Sequence, residues 1–384
     1  MEQQAKQSER LVEEAWDGGL RYTEERVEPR RSFPSRRCAL WADDAEEPVS
    51  SLALLGMDVR FGALALPVEG YAVVSTPPEH RRRGYMDRLI RRSLRSAARR
   101  VSVACLYGIA DFYPRFGFVT CQRDIEWRVS LYNTRRLPVV PEGALRAGSL
   151  SDLPALRALF NSVHGARPWS VVRADHWDRI PRTREWNPGV DIVVAGNGDG
   201  LTGYALIEET FLGWRPKHVQ VHEIVARDQA TAGMLLAGVA RRARRLDHER
   251  IVFQEPGDSA VARAARGIGC EAVHRHYAAA GGMAALLDRG RFLDAFEPEL
   301  ARRAAAARIA TAAQVPALAA LRGGALLPGG GDLLQLAFGY ERFDDVPEER
   351  RGNDSGLWDV AQAWFPGGGS RVLAEPFGHA LDQY

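Results

Sequence analysis

Apolar positions along the chain follow two periods, and the places where one gives way to the other mark out its elements. Residues 7–20 carry apolar positions at helical spacing and predict a first helix, whereas 38–41, 51–55 and 62–66 are short strand-like runs broken by Gly and Pro. A fuller strand is predicted over 71–76. It runs into Pro77-Pro78-Glu79-His80-Arg81-Arg82-Arg83-Gly84-Tyr85-Met86, after which Leu89, Ile90 and Leu94 recur on one helical face with Arg88, Arg91, Arg92 and Arg95 outside it. The local order is strand, basic glycine-containing loop, amphipathic helix. Residues 101–107 predict a buried strand, followed by Phe112-Tyr113-Pro114-Arg115-Phe116-Gly117-Phe118 and strand-like sequence through Val129.

A second unit begins where Ser151 offers an N-cap and Leu153, Leu156, Leu159, Phe160 and Val163 form a helical stripe. Its later half repeats the first: a strand over 218–225, a helix marked by Met234, Leu235, Val239 and Leu246, a strand over 251–254, and Gly267-Ile268-Gly269-Cys270 in the place of Arg115-Phe116-Gly117-Phe118. This order reads as a tandem duplication. The copy's strand-to-helix junction, Arg227-Asp228-Gln229-Ala230-Thr231-Ala232-Gly233, lacks the Arg-Arg-Arg-Gly run. From residue 286 an Ala- and Arg-rich helix over 297–307 leads into Leu318, Leu321, Leu333, Leu334 and Leu336 among glycines. Three segments result: 1–146, 147–285 and 286–384.

The length of 384 residues suits two or three domains, at roughly 150 residues each. A hydrophobic content of 46% with 26% charged residues excludes a largely disordered or fibrous chain. No apolar run reaches the ~18 residues of a membrane span, and Met1-Glu2-Gln3-Gln4-Ala5-Lys6 lacks the apolar core of a signal peptide, so a cytoplasmic protein with no membrane partner is expected. Lys and Arg number 51 against 49 Asp and Glu, so no uniform field points to nucleic acid. Cys38, Cys105, Cys121 and Cys270 form no Cys-x-x-Cys pair, and neither His218 with His222 nor His274 with His276 has a clear third ligand, so no metal is expected.

The most specific chemistry lies in Arg81-x-x-Gly84-x-Met86. Between a strand and a helix, such a loop aims backbone N–H groups at one spot, the helix dipole adds positive potential, and Gly84 allows close backbone approach, which suits a pyrophosphate. The same residues without a ligand would make a basic helix start.

In its context the loop resembles the acetyl-CoA signature of the GNAT superfamily of N-acetyltransferases, Arg/Gln-x-x-Gly-x-Gly/Ala, with Met86 departing from the usual small residue. Within it, His80-Arg81-Arg82-Arg83-Gly84-Tyr85-Met86 followed by Tyr113-Pro114-Arg115-Phe116-Gly117-Phe118 is similar to the enhanced intracellular survival (Eis)-like acetyltransferases. That resemblance implies an α+β fold of tandem GNAT domains, each a mixed twisted sheet flanked by helices, followed by a small sterol-carrier-protein-like α/β domain. Residues 1–146 would be catalytic, 147–285 a degenerate copy and 286–384 a shortened sterol-carrier-like domain.

The resemblance also implies roles. Val74 and Thr76, with Ser75 between them, would bond the pantetheine arm, and Arg81, Arg82, Arg83, Gly84, Tyr85 and Met86 would surround the pyrophosphate. Gly108 and Ile109 would touch the donor where two strands splay. Tyr113 would be the general acid and the terminal carboxylate of Tyr384 the base. An α-carboxyl with an ordinary pKa of about 3.3 to 3.7 is a poor base unless buried, so Glu69 and water are rivals. The implied activity is acetyl-CoA-dependent transfer to a primary amine of a small substrate, for example a polycationic, aminoglycoside-like one, by direct attack in a ternary complex. The implied assembly is a homo-oligomer, with hexamers common in the family. A non-catalytic acyl-CoA-binding regulator and an acyltransferase using a longer acyl-CoA are the alternatives.

Overall fold

The N-terminal residues form strands rather than the helix that the spacing of 7–20 predicts. In the computed structural model, which describes residues 11–27, 35–42, 45–175, 190–196, 200–208 and 217–366, β1 (Leu11–Asp17) turns back into β2 (Leu20–Val27) through Gly18 and Gly19. Both glycines are left-handed, with φ of 56° and 77°. A two-residue turn with positive φ at both positions matches the twist of paired strands. Leu20 and Tyr22 become buried on the sheet, a gain that a short isolated helix cannot offer.

The chain continues antiparallel through β3 (Ser35–Ala42), β4 (Ser50–Phe61) and β5 (Leu64–Ser75), and α1 (Tyr85–Ala97) crosses to β6 (Val103–Gly108). There follow β7 (Val119–Thr120), β8 (Asp124–Ser130), β9 (Leu145–Ala147), α2 (Leu153–Val163), β10 (Val190–Ala195), β11 (Gly203–Glu208) and β12 (His218–Ala226). Then come α3 (Gln229–Arg245), β13 (Arg250–Gln254), α4 (Ala260–Ile268), β14 (Glu271–Arg275) and β15 (Gly281–Leu286).

Two mixed sheets result, and helices pack on them, as the α+β reading expects. The first has the order β1-β2-β3-β4-β5-β6-β15-β7 and the second β14-β8-β13-β12-β11-β10-β9. The cut between residues 146 and 147 does not separate them. β8, ahead of the cut, joins the second sheet between β14 and β13, while β15, far beyond it, joins the first beside β6. The repeat seen in the sequence is present: β12, α3 and β13 follow the order of β5, α1 and β6, and among the described residues each sheet has a single parallel strand pair.

One face of the first sheet carries α1. Its Leu89 and Ile90 are buried with Leu52, Leu54, Tyr71 and Leu106, while its arginines stay outside that core. The other face carries α5 (Arg289–Ala306), α6 (Thr311–Gly323), α7 (Gly330–Ala337) and α8 (Trp358–Trp364). Expected as a small α/β unit, this segment is helical over its described residues, with an isolated bridge at Leu326↔Gly352. Its apolar residues bury against the sheet: Phe61 at the end of β4 meets Phe292, Phe296 and Phe338 at 5.6, 5.9 and 4.1 Å between ring centres. Arg303, fully buried, pairs with Glu299 at 2.9 Å and donates to the Trp364 carbonyl at 2.9 Å, so its charge is compensated where water is excluded. Among the described residues no helix is long and apolar enough to cross a membrane.

Candidate active site

The parallel pairing of β5 with β6 covers Glu69↔Ala104, Gly70↔Cys105 and Tyr71↔Leu106 and then stops. Beyond Tyr71 a bulge sets Val73 and Val74 of β5 against the single residue Leu52 of β4, and Val73 adopts φ 50° with its side chain exposed. A bulge bends its strand and interrupts the ladder. The two strands therefore part, and a cleft of 480 Å³ lies at the opening. Its walls are the end of β5 (Val74, Ser75, Thr76), the loop with His80, Arg81, Arg82 and Gly84, the first turn of α1 (Tyr85, Met86, Asp87), and Ile109, Phe112, Tyr113 and Arg115 beyond β6.

The loop is held to the strand end. Arg81 Nε donates to the Thr76 carbonyl at 3.1 Å, and the hydroxyls of Thr76 and Ser50 lie 3.0 Å apart. Gly84 is the N-cap of α1 with φ 79°, no side chain caps the helix, and a Cβ built on Gly84 would meet nothing within 4 Å. The first-turn N–H groups and the positive end of the helix dipole thus face open space. Among the described residues Arg81, Arg82 and Arg83 have no carboxylate within ion-pair distance. On α1 and just after it several arginines are paired, Arg91 with Asp87 at 2.9 Å, Arg92 with Glu13, and Arg100 with Glu24 and Glu69, while among the described residues Arg88 and Arg95 of the helix have no ion pair either. An uncapped helix start beside guanidinium groups that meet no described carboxylate has the chemistry an anion needs, and its residues fit a pyrophosphate.

The second unit closes the equivalent place. Asp228, the N-cap of α3, accepts a hydrogen bond from the Thr231 N–H at 2.8 Å, so that helix start carries its own carboxylate. Asp228→Ala is expected to lower stability by about 1 kcal/mol, measured by denaturant unfolding.

Tyr113 opens a short 3-10 turn over Pro114–Phe116. Its ring is packed edge-on against Phe112 at 4.9 Å and Phe118 at 5.9 Å. Burial pushes its phenol pKa above the ordinary value, which keeps it protonated at neutral pH. Gly108 sits behind this ring: a Cβ there would fall 2.8 Å from Tyr113 Cδ2, so the absence of a side chain lets the ring close over β6.

The structure brings most of the residues singled out in the sequence to one place. Val74, Ser75, Thr76, Arg81, Arg82, Gly84, Tyr85, Met86, Ile109 and Tyr113 all line the cleft; Gly108 backs it, and Arg83 is exposed on the loop outside the wall. Tyr384 lies outside the described residues. Glu69 does not line the cleft: it is buried and held by Arg36 and by Arg100 at 2.9 Å, next to Glu24, which shares both guanidinium groups. Four further wall residues are His80, Asp87, Phe112, at which the width bears on the longer-acyl-donor alternative, and Arg115. The last two form a stack, with the Arg115 guanidinium 4.2 Å from the Phe112 ring centre, and the aromatic run around Tyr113 is the signal that points to them. Of the thiols, Cys38, Cys105 and Cys121 are buried away from the wall, and burial pushes Cys38 up to about 12.

Residues 2–121 match a family model described as an acetyltransferase (GNAT) domain, so the N-terminal third of the chain is similar to domains of that type. Among solved structures, a GCN5-related N-acetyltransferase from Kribbella flavida aligns with 67% of this chain and 62% of its own length, at 20% identity and a TM-score of 0.54. A GCN5-related N-acetyltransferase from Anabaena variabilis aligns with 67% and 64%, at 16% identity and a TM-score of 0.56. The fold is shared with these structures at low identity, and the chain spans less than two thirds of their length. Eis1 from Mycobacterium abscessus aligns with 70% of this chain and 68% of its own, at 20% identity and a TM-score of 0.49. No curated protein matches the sequence.

Proposed function

We propose that the protein is an acetyl-CoA-dependent N-acetyltransferase that moves an acetyl group to a primary amine by direct attack. The observation that carries this reading is the uncapped, glycine-opened start of α1 beside unpaired arginines, set at the mouth of a parting parallel strand pair. On this reading Arg81, Arg82, Arg83, Gly84, Tyr85 and Met86 surround the pyrophosphate, Val74, Ser75 and Thr76 run along the pantetheine arm, and Gly108 and Ile109 flank its thioester end. The amine attacks the thioester carbonyl, the C–N bond forms, the C–S bond breaks, the departing thiolate takes the proton of Tyr113, and the proton shed by the nitrogen passes to the base and returns to the phenolate through solvent.

With Glu69 committed to two guanidinium groups, the base of this proposal is the Tyr384 carboxylate or a water. An added C-terminal tag turns that carboxylate into an amide. It is expected to lower turnover about 10²-fold, the lower end of general base effects, at an unchanged melting temperature, while the same tag at Met1 leaves turnover as it was. The domain reading that goes with this function makes the unit built on the first sheet catalytic and the unit built on the second sheet a copy without a working donor site, on the support of Asp228. The acceptor is a small amine of the polycationic, aminoglycoside-like kind, and the assembly a homo-oligomer.

The test is release of CoA thiol when the chain is mixed with acetyl-CoA and a panel of primary amines. Amine-dependent release is expected. Binding of acetyl-CoA without release by any amine would turn the reading into that of an acyl-CoA-binding regulator.

A further inference from the structure

The floor of the cleft rests on a side chain that is not part of its wall. Ser50, the first residue of β4, is fully buried. Strand alternation puts it on the same sheet face as Leu52 and Leu54, which pack in the α1 core, yet its hydroxyl meets residues of the cleft. It lies 3.0 Å from the Thr76 hydroxyl, 3.4 Å from the Ser75 carbonyl and 3.8 Å from the Met86 sulfur. One buried oxygen thus touches the end of β5 and the first turn of α1 together, and Ser75, Thr76 and Met86 all line the cleft.

Met86 shares the helical face of Leu89, Ile90 and Ser93 and packs, partly buried, against their core. Its thioether turns under the loop onto Ser50 and leaves the space before Gly84 open. Contacts of 3.0 and 3.8 Å give no room for a longer side chain at position 50, so one placed there must push Met86 toward the space an anion needs. The small side chain of Ser50 therefore accommodates a methionine where the signature that the loop resembles has Gly or Ala. Its hydroxyl adds a second constraint. Whichever oxygen donates, the hydrogen bond between Ser50 and Thr76 fixes the Thr76 rotamer at the wall.

We infer that Ser50 is a positioning residue of the donor site, seating Met86 and fixing Thr76 so that the start of α1 stays open to the pyrophosphate. This rests on the acetyltransferase reading, which supplies the ligand of that site.

The test titrates acetyl-CoA calorimetrically into each variant beside a melting curve, and reads kcat and KM for acetyl-CoA from thiol release. Ser50→Leu should weaken acetyl-CoA binding about thirtyfold, the middle of the range for an overpacked side chain, and raise KM with kcat at saturating donor little changed. Met86→Ala in the same chain should recover most of that loss, because the displaced thioether is gone. Ser50→Ala should weaken binding about fivefold, the size of one neutral hydrogen bond. It should add nothing in a Thr76→Val background, since the two changes remove one contact; this pair carries the test if Ser50→Leu does not fold. Unchanged affinity in Ser50→Leu, a loss that Met86→Ala leaves in place, or additive losses from Ser50→Ala and Thr76→Val would overturn the inference. An unaltered chain that binds acetyl-CoA, with the Ser50 variants indistinguishable from it, brings down the inference alone. Failure of the unaltered chain to bind acetyl-CoA brings down the acetyltransferase reading and the seating of Met86 with it. The expected losses of binding without thiol release from any amine support the inference and bring down the transfer step alone.

Discussion

Gly84→Val should weaken acetyl-CoA binding about a hundredfold in a chain that still folds. At φ 79° the residue occupies the left-handed region, where a side chain costs about 1 to 2 kcal/mol and a β-branched one more. A Cβ at this position meets no protein atom, so the cost falls on the local backbone and not on the core. Relief comes by rotating the residue out of the left-handed region, which turns the first N–H groups of α1 away from their common focus. The valine methyls also fill the space through which an anion must approach. Together these are worth on the order of 2 to 3 kcal/mol, and 2.7 kcal/mol is about a hundredfold. Calorimetric titration with acetyl-CoA, beside a melting curve, measures it; unchanged affinity would reduce the loop to a basic helix start.

Tyr113→Phe should lower turnover by about 10²-fold, the lower end of general acid catalysis, with acetyl-CoA affinity little changed. The variant keeps the ring that Phe112 and Phe118 hold and removes only the hydroxyl. The pH profile gives a second reading of the same claim. Burial raises the phenol pKa above its ordinary value of about 10, so the protonated acid persists through neutral pH and is lost only above pH 10. Turnover of the unaltered chain should therefore fall on a limb above pH 10, and that limb should be missing in Tyr113→Phe. Normal turnover in the variant would leave Tyr113 as a packing residue.

Both predictions concern parts of the chain that are readable from the sequence alone, and the reason is locality. The loop over 81–86 and the turn around Tyr113 each sit between elements whose periodicity is strong: Leu89 and Ile90 mark α1, and the apolar run of β6 precedes Tyr113. Their chemistry is written within a few residues. What failed to show depends on distant partners. Glu69 stands just where a base would be placed, yet its fate is set by Arg36 and Arg100, more than thirty residues away on either side. The hairpin of β1 and β2 competes with a genuine helical spacing and wins through pairing with β3. The helical C-terminal segment follows the same rule, since Phe292 and Phe296 find their place only against Phe61. Nothing local says which of two sheets a strand will join, so the exchange of β8 and β15 left no trace in the pattern.

That exchange also bears on biosynthesis. β15 lies between β6 and β7 and supplies the Gly281 that pairs with Gly108 behind Tyr113. A ribosome that has released β7 must still translate the whole second sheet before the strand that belongs between β6 and β7 emerges, on the order of ten to thirty seconds at ordinary elongation rates. Through that interval the nascent first sheet has open edges on both β6 and β7. Such edges invite pairing with other chains, and the shortness of β7, two residues, limits one of them. The cleft is thus finished late, by a strand made about 160 residues after β7, and a shortened message ending within the second sheet would yield the basic loop without the wall behind Tyr113.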